Sequence, residues 1–198
     1  MIVPAFRWLA FAAFLSLLLV YFKGGTTLVK DIRRSVEIAG NYSYAVFSII
    51  MALAGAVILT TQFLVCMDII RTYAWPGSGW VAAAGAILEI AGILAAYRVR
   101  GRYLGRFWSG NVEIQPDHQI VESGPYRIIR HPIYTLTLII YSGVASAFAV
   151  WWIWLACGTL MAGYILLTEY EDAYLTENLP GYSDYRNRTK WKLLPGIW

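Results

Sequence analysis

The chain has 198 residues, 59% of them hydrophobic and only 14% charged, with a formal net charge of +4. A soluble domain of this size carries about a quarter charged residues, so the composition excludes an ordinary water-soluble domain. A surplus of four positive charges requires no nucleic-acid partner.

The charges are confined to a few places. From Met1 to Phe22 there is only Arg7, from Ile38 to Met67 there is none, and from Thr72 to Tyr97 there is only Glu89. Pro132 to Thr168 is again free of Asp, Glu, Lys and Arg, and is long enough for two crossings. A helix needs roughly 20 mainly apolar residues to span the hydrocarbon. The chain therefore reads as all-α, a multi-pass integral membrane protein with five transmembrane helices, the last two forming a C-terminal helical hairpin. The predicted spans are Phe6–Phe22, Tyr42–Met67, Gly79–Tyr97, Ile133–Phe148 and Trp151–Leu167.

The first is read as a retained span, because Lys23-Gly24-Gly25 follows it rather than a small-residue cleavage pattern. Glu89 sits mid-span, where an ionisable residue is either functional or a protonated acid bonded to a neighbouring helix. Around Ser146–Val150 no polar loop separates the last two spans, which implies a tight hairpin near an interface. Trp151, Trp152 and Trp154 suit an aromatic belt there. Gly143, Ala145, Ala147, Gly158 and Gly163 would let the two hairpin helices approach closely. Cys66 and Cys157 fall in or at the end of spans and read as small apolar fillers.

Orientation follows from the basic residues. Five spans put the first loop, the third loop and the C-terminal tail on one side, with all but Arg7 and Arg71 of the sixteen basic residues. The positive-inside rule makes that side cytoplasmic, so the N-terminus lies outside and the C-terminus in the cytoplasm. Residues 1–198 form a single membrane domain, whose 98–198 half carries the binding and chemical equipment. Arg98 to Arg106 reads as a topology determinant.

Two long polar segments flank the hairpin on that side, Arg98–His131 and Glu169–Trp198, and loops of such length are uncommon without a task. Gly124-Pro125 signals a turn. Pro132 suits the first position of a helix, which places His131 beside free backbone donors, as a cap or as a ligand-binding group. Glu169, Glu171 and Asp172 follow the last span, either solvated or paired with the arginines opposite. Further on lie Tyr182, Tyr185, Arg186 and Arg188. Carboxylates, cations and aromatic rings converging at one end of a hairpin suit a zwitterionic ligand with a cationic centre and a purine ring.

The run Gly124-Pro125-Tyr126-Arg127-Ile128-Ile129-Arg130-His131-Pro132-Ile133-Tyr134 resembles the G-x-Y-x-x-x-R-H-P-x-Y signature of the isoprenylcysteine carboxyl methyltransferase family, which is related to the phospholipid N-methyltransferases. Glu171-Asp172, Leu175, Gly181, Tyr182, Tyr185 and Pro195 resemble that family's ending, with Asp172 where a second Glu is usual. The resemblance runs from about Asn111 to Pro195.

It implies an enzyme using S-adenosyl-L-methionine, held by Gln115, His118, Gln119, Ile120 and Val121 together with Tyr126 and His131; no metal is implied. The candidate catalytic residues, read from the tail itself, are Glu171, Glu169, Arg186 and Arg188, with the choice of Arg and Glu among them open. The two arginines would hold a substrate carboxylate or face anionic headgroups; no Arg lies between Trp151 and Thr168 to take that part. The implied acceptor is the C-terminal carboxylate of a prenylated cysteine or a similar lipophilic carboxylate, with membrane lipid around it. A phospholipid or other lipid N- or S-methyltransferase is the alternative. From other classes, a membrane sterol-type reductase using a nicotinamide cofactor or a non-enzymatic membrane adaptor remains. Oligomeric state is not legible.

Overall fold

The computed structural model describes residues 2–23, 42–72, 78–109 and 112–198. The first-loop residues Lys30, Arg33 and Arg34 lie outside the described residues. Six helices carry the fold: α1 (Ile2–Lys23), α2 (Tyr42–Cys66), α3 (Ser78–Val99), α4 (Pro132–Ala147), α5 (Trp151–Asn178) and α6 (Tyr182–Arg188). Among the described residues the one β-type pairing is an isolated bridge between Ile129 and Trp191.

Five of these helices fall on the charge-poor runs. α2, α3 with its extension to Phe107, and α5 are long and apolar enough to cross a membrane. Ala5–Leu17 within α1 and the whole of α4 are shorter apolar helices. At 1.5 Å per residue α4 covers only about 24 Å, a little under the hydrocarbon thickness.

Three hydrogen bonds fix the helix directions. Near the start of α1, Arg7 donates from Nε to the Ala147 carbonyl at 3.0 Å and from a terminal nitrogen to Thr72 Oγ1 at 3.0 Å. At the other end, Ser16 and Tyr97 share a hydroxyl hydrogen bond of 3.2 Å. The N-terminus, the segment after α2 and the α4–α5 turn thus meet at one end, and the five long helices alternate in direction.

The α4–α5 junction is Phe148-Ala149-Val150, all three buried. Val150 is extended, with φ −129° and ψ 136°, and this breaks the helix. Trp154 donates its indole N–H to the Ala145 carbonyl at 2.8 Å, satisfying a terminal acceptor of α4 that lipid could not. Trp151 and Trp154 are exposed, as a belt requires. Trp152 departs from that expectation: it turns inward and donates to Thr61 Oγ1 at 3.0 Å.

The small-residue seam lies elsewhere than expected. A Cβ on Gly143 would stand 2.5 Å from the backbone nitrogen of Glu89, and one on Gly85 would stand 2.7 Å from the Gly143 carbonyl. The close approach is therefore between α3 and α4, where glycines let two backbones touch. Gly158, assigned to the hairpin by sequence, has nothing within 4 Å of its Cβ position. Glu89 is wholly buried and accepts a 3.0 Å hydrogen bond from Gln62 of α2. It joins two helices well away from the polar end of the molecule.

Candidate functional site

The apolar stretch of α5 ends near Leu167, yet the helix continues for almost three more turns to Asn178. Glu169, Glu171 and Asp172 were read as the start of a tail; they stand instead on a rigid helix projecting beyond the apolar stretch. α3 overruns its span likewise. It passes through a wide turn, Arg100–Leu104, and a tight one, Gly105–Phe107. Arg100 lies over the Trp108 ring at 3.5 Å and Arg106 over Phe107 at 4.8 Å, so this basic run also shapes a wall.

The chain between these helices is tied down at several points. Gly124 has φ +60° and lies directly under the Tyr103 ring, so a side chain there would meet both backbone strain and a clash. Leu179, Tyr182 and Tyr185 form a small second core with Ile114, Ile120 and Leu175, fixing the 112–121 segment against α5 and α6. Tyr185 donates its hydroxyl to the Tyr126 carbonyl at 2.7 Å. The C-terminal segment clamps the Arg130–His131 backbone, whose N–H groups donate to the carbonyls of Trp191 and Lys192 at 2.9 and 3.0 Å.

These elements enclose a cavity of about 820 Å³, counted out to open solvent. One wall is Leu104, Phe107 and Trp108; another is His118, Gln119, Ile120 and Val121; Tyr126, His131, Tyr134 and Glu171 close it. His131 is the N-cap residue of α4, but its ring makes no capping hydrogen bond. The ring lies 3.6 Å from Glu171 through Nδ1 and 3.4 Å from Asp172 through Nε2.

Behind His131 is a buried charge pair. Arg130 donates from Nε to Asp172 Oδ1 at 2.7 Å and from a terminal nitrogen to Oδ2 at 3.0 Å. Its other terminal nitrogen donates to the carbonyls of Thr189 and Lys190 at 2.7 and 2.9 Å. Tyr182 adds its hydroxyl to Asp172 Oδ1 at 3.1 Å.

Burial by itself would push Asp172 up; the hydrogen bonds from His131 and Arg130 outweigh it and hold the carboxyl well below its usual range. Glu171 follows the same pattern, with burial opposed by His131 and by the Tyr134 hydroxyl, and it too is lowered. For His131 burial acts downward, but the two carboxylates win and its pKa is raised. Burial raises Tyr126 and Tyr182, so both stay neutral phenols. His118 is lowered, mainly by burial. Its Nδ1 accepts the Gln115 backbone N–H at 3.4 Å, which leaves the neutral ring's proton on Nε2.

Of the residues expected from sequence, His118, Gln119, Ile120, Val121, Tyr126, His131 and Glu171 come together on the cavity wall. Gln115 does not line it, and its side chain reaches back to the Trp108 carbonyl at 3.5 Å. Glu169 pairs with Lys192 at 2.6 Å on the outside of α5. Arg188 grips Glu122 at 2.7 Å, both largely exposed. Arg186 approaches Asp172 Oδ2 to 3.8 Å from the solvent side. None of these three is among the cavity-lining residues. Sequence reasoning gave no site role to Arg130, Phe107 or Trp108, which line the cavity, nor to Asp172, which anchors its floor.

The sequence profile of the phospholipid methyltransferase family matches residues 78–180. That range holds α3, the whole intervening segment, α4 and α5, more than half of the chain.

This chain belongs to the phospholipid methyltransferase family.

It is a membrane methyltransferase family, related to the isoprenylcysteine carboxyl methyltransferases that the Arg130-His131-Pro132 run resembles. Comparison with curated proteins finds no match. Every cavity-lining residue except Tyr182 and Tyr185 lies within the matched range.

Proposed function

We propose that this membrane methyltransferase binds S-adenosyl-L-methionine in the cavity and methylates the polar head of a lipid-anchored acceptor at the cytoplasmic face. The observation that carries the reading is the cavity's makeup. Glu113 and Glu171 line it with six aromatic rings from Phe, Trp and Tyr, at the polar end of α3 and α5 beyond their apolar stretches. Carboxylates and ring faces attract a sulfonium and an ammonium group, and the same rings suit a purine. S-adenosyl-L-methionine would supply an electrophilic methyl group; the protein's part is to align it with the acceptor and to exclude water. Glu171, ionised because His131 and Tyr134 hydrogen-bond to it, is placed to hold the positive charge. His118 offers an Nε2–H donor. Tyr126 and His131 close the wall.

Two acceptors fit a lipid methyltransferase. A prenylcysteine carboxylate needs no base, but it needs a cation to hold it, bidentate for an Arg. Here the lining favours an amine acceptor. The Arg130 guanidinium makes four hydrogen bonds to Asp172 and the backbone, while Arg188 is paired with Glu122 and Arg186 faces Asp172 from outside. An ammonium head, as in a phosphatidylethanolamine, would meet Glu171 and ring faces instead. It would give up one proton, to Glu171 or to a neutral His131 on the same wall, before its nitrogen takes the methyl group and S-adenosylhomocysteine leaves.

The two are separated by supplying dioleoyl-phosphatidylethanolamine and a farnesylated cysteine derivative with methyl-labelled cofactor. We expect label in the lipid fraction that survives mild base, as an N-methyl group does. Base-labile label would identify a methyl ester and return the acceptor to the carboxylate. No label in either would reject the methyltransferase reading.

A further inference from the structure

Asp172 Oδ1 has three hydrogen-bond partners, and they compete. Arg130 Nε stands at 2.7 Å, the Tyr182 hydroxyl at 3.1 Å and His131 Nε2 at 3.4 Å. A carboxylate oxygen has about two lone pairs to share among them. The shorter pair takes most of that capacity, and His131 holds the remainder. On its other edge, His131 Nδ1 lies 3.6 Å from Glu171, whose carboxylate faces the cavity.

We propose that Arg130 and Tyr182 are positioning residues that set the protonation state of His131 through their hold on Asp172. The group is buried, with Arg130, His131, Asp172 and Tyr182 each at most 6% exposed, so each charge acts with little screening. Loosening either hold leaves more of Oδ1 and more net negative charge for the imidazole, which then binds its proton more firmly. The two carboxylates already outweigh burial at this ring, in agreement with that direction. The other groups facing the cluster are Tyr134, stacked on the ring at 5.7 Å, Arg186 at 3.8 Å from Asp172 Oδ2 and Lys192 at 3.9 Å from it. Both outer cations sit beyond hydrogen-bonding distance, and neither matches the bidentate grip of Arg130.

The consequence for the cofactor rests on the function proposed above; the effect on the proton does not. An imidazolium beside Glu171 neutralises the charge meant for a sulfonium. Arg130 and Tyr182, by restraining that proton, limit how far the ring is raised and so lower the pH above which Glu171 is free of the imidazolium and available to a cationic ligand.

The chain holds only two histidines, His118 and His131, so their ring carbons can be followed by NMR of the purified, detergent-solubilised protein, with His118→Gln to assign the signals. We expect Tyr182→Phe, which keeps the ring and loses the hydroxyl, to move the His131 titration midpoint upward. Arg130→Gln should move it further, by about one unit or more. Arg127→Gln, at an exposed cation of the same segment, should leave it in place. Should Arg130→Gln fail to fold, Tyr182→Phe decides alone. A midpoint that stays or falls in Tyr182→Phe overturns the proposal, as does an equal shift in Arg127→Gln. S-adenosyl-L-methionine affinity, measured in parallel, should drop in Tyr182→Phe at neutral pH and recover as pH rises. If the wild-type protein binds no cofactor, the proposed function falls while the NMR midpoints still decide this inference.

Discussion

Arg130 and Asp172 form a bidentate pair across 42 residues of sequence, with both side chains only 3% exposed. The pair links the segment before α4 to the projecting end of α5, so folding of the site depends on it. Removing one partner from a buried pair leaves an uncompensated charge and costs roughly 3–5 kcal/mol. Arg130→Ala should therefore unfold the polar end at lower denaturant than wild type. The pH dependence follows from the pKa directions. Asp172 and Glu171 are lowered, so their contribution is present above the ordinary carboxylate range and is lost as pH falls through the lowered values. His131 is raised, so its contribution is full below the ordinary histidine range and is lost as pH climbs through its raised value. Unfolding monitored against pH should show losses on both flanks, and Asp172→Asn should flatten the acid one.

The α3–α4 seam gives a packing prediction. Gly143→Leu places a side chain where even a Cβ would stand 2.5 Å from backbone, so the helices must separate. Overpacking of this kind costs roughly 1–3 kcal/mol or more. Gly158→Ala, in open surroundings, should be tolerated. Equal thermal stability of the two variants would contradict the seam.

The cavity wall gives a binding prediction. Tyr126→Ala and His131→Ala should weaken S-adenosyl-L-methionine binding about ten- to a hundredfold, the loss of one or two hydrogen bonds. Arg188→Ala, whose partner is Glu122 on the surface, should not. Similar affinities across all three would remove Tyr126 and His131 from the site.

Topology is tested by chemical labelling. In a background lacking Cys66 and Cys157, Ser109→Cys and Ser183→Cys lie at the cavity end and should react only with cytoplasmic reagent. Reaction of Ser109→Cys from outside would invert the assignment of the faces.

Much of the fold was legible because charge-poor runs are a one-dimensional signal, and all five long helices sit on them. The inner ends were harder. Glu169, Glu171 and Asp172 look like the start of a tail, yet they continue α5, because a helix leaving the bilayer needs no apolar residues to persist. The glycine seam was placed on the wrong pair, since small residues announce a close approach without naming the partner: Gly143 meets Gly85 and Glu89, not the hairpin. For the site, the local run from His118 to His131 brought six expected residues to one cavity, and Glu171 of α5 joined them. The long-range choices were invisible. Nothing in the sequence says that Arg130 takes Asp172, that Arg188 takes Glu122, or that Phe107 and Trp108 swing round from the end of α3.

The central claim is that the cavity beside Glu171 holds a cationic methyl donor. A direct equilibrium titration of the purified protein with S-adenosyl-L-methionine, S-adenosylhomocysteine and NADPH tests it most directly. We expect saturable binding of the first two and none of NADPH. In Glu171→Gln, affinity for S-adenosyl-L-methionine should fall about tenfold or more, the value of a lost charge-assisted contact. The homocysteine product, which lacks the sulfonium charge, should lose less. Binding of NADPH in preference to S-adenosyl-L-methionine, or an affinity for the latter unchanged by Glu171→Gln, would rule out a cationic methyl donor beside Glu171.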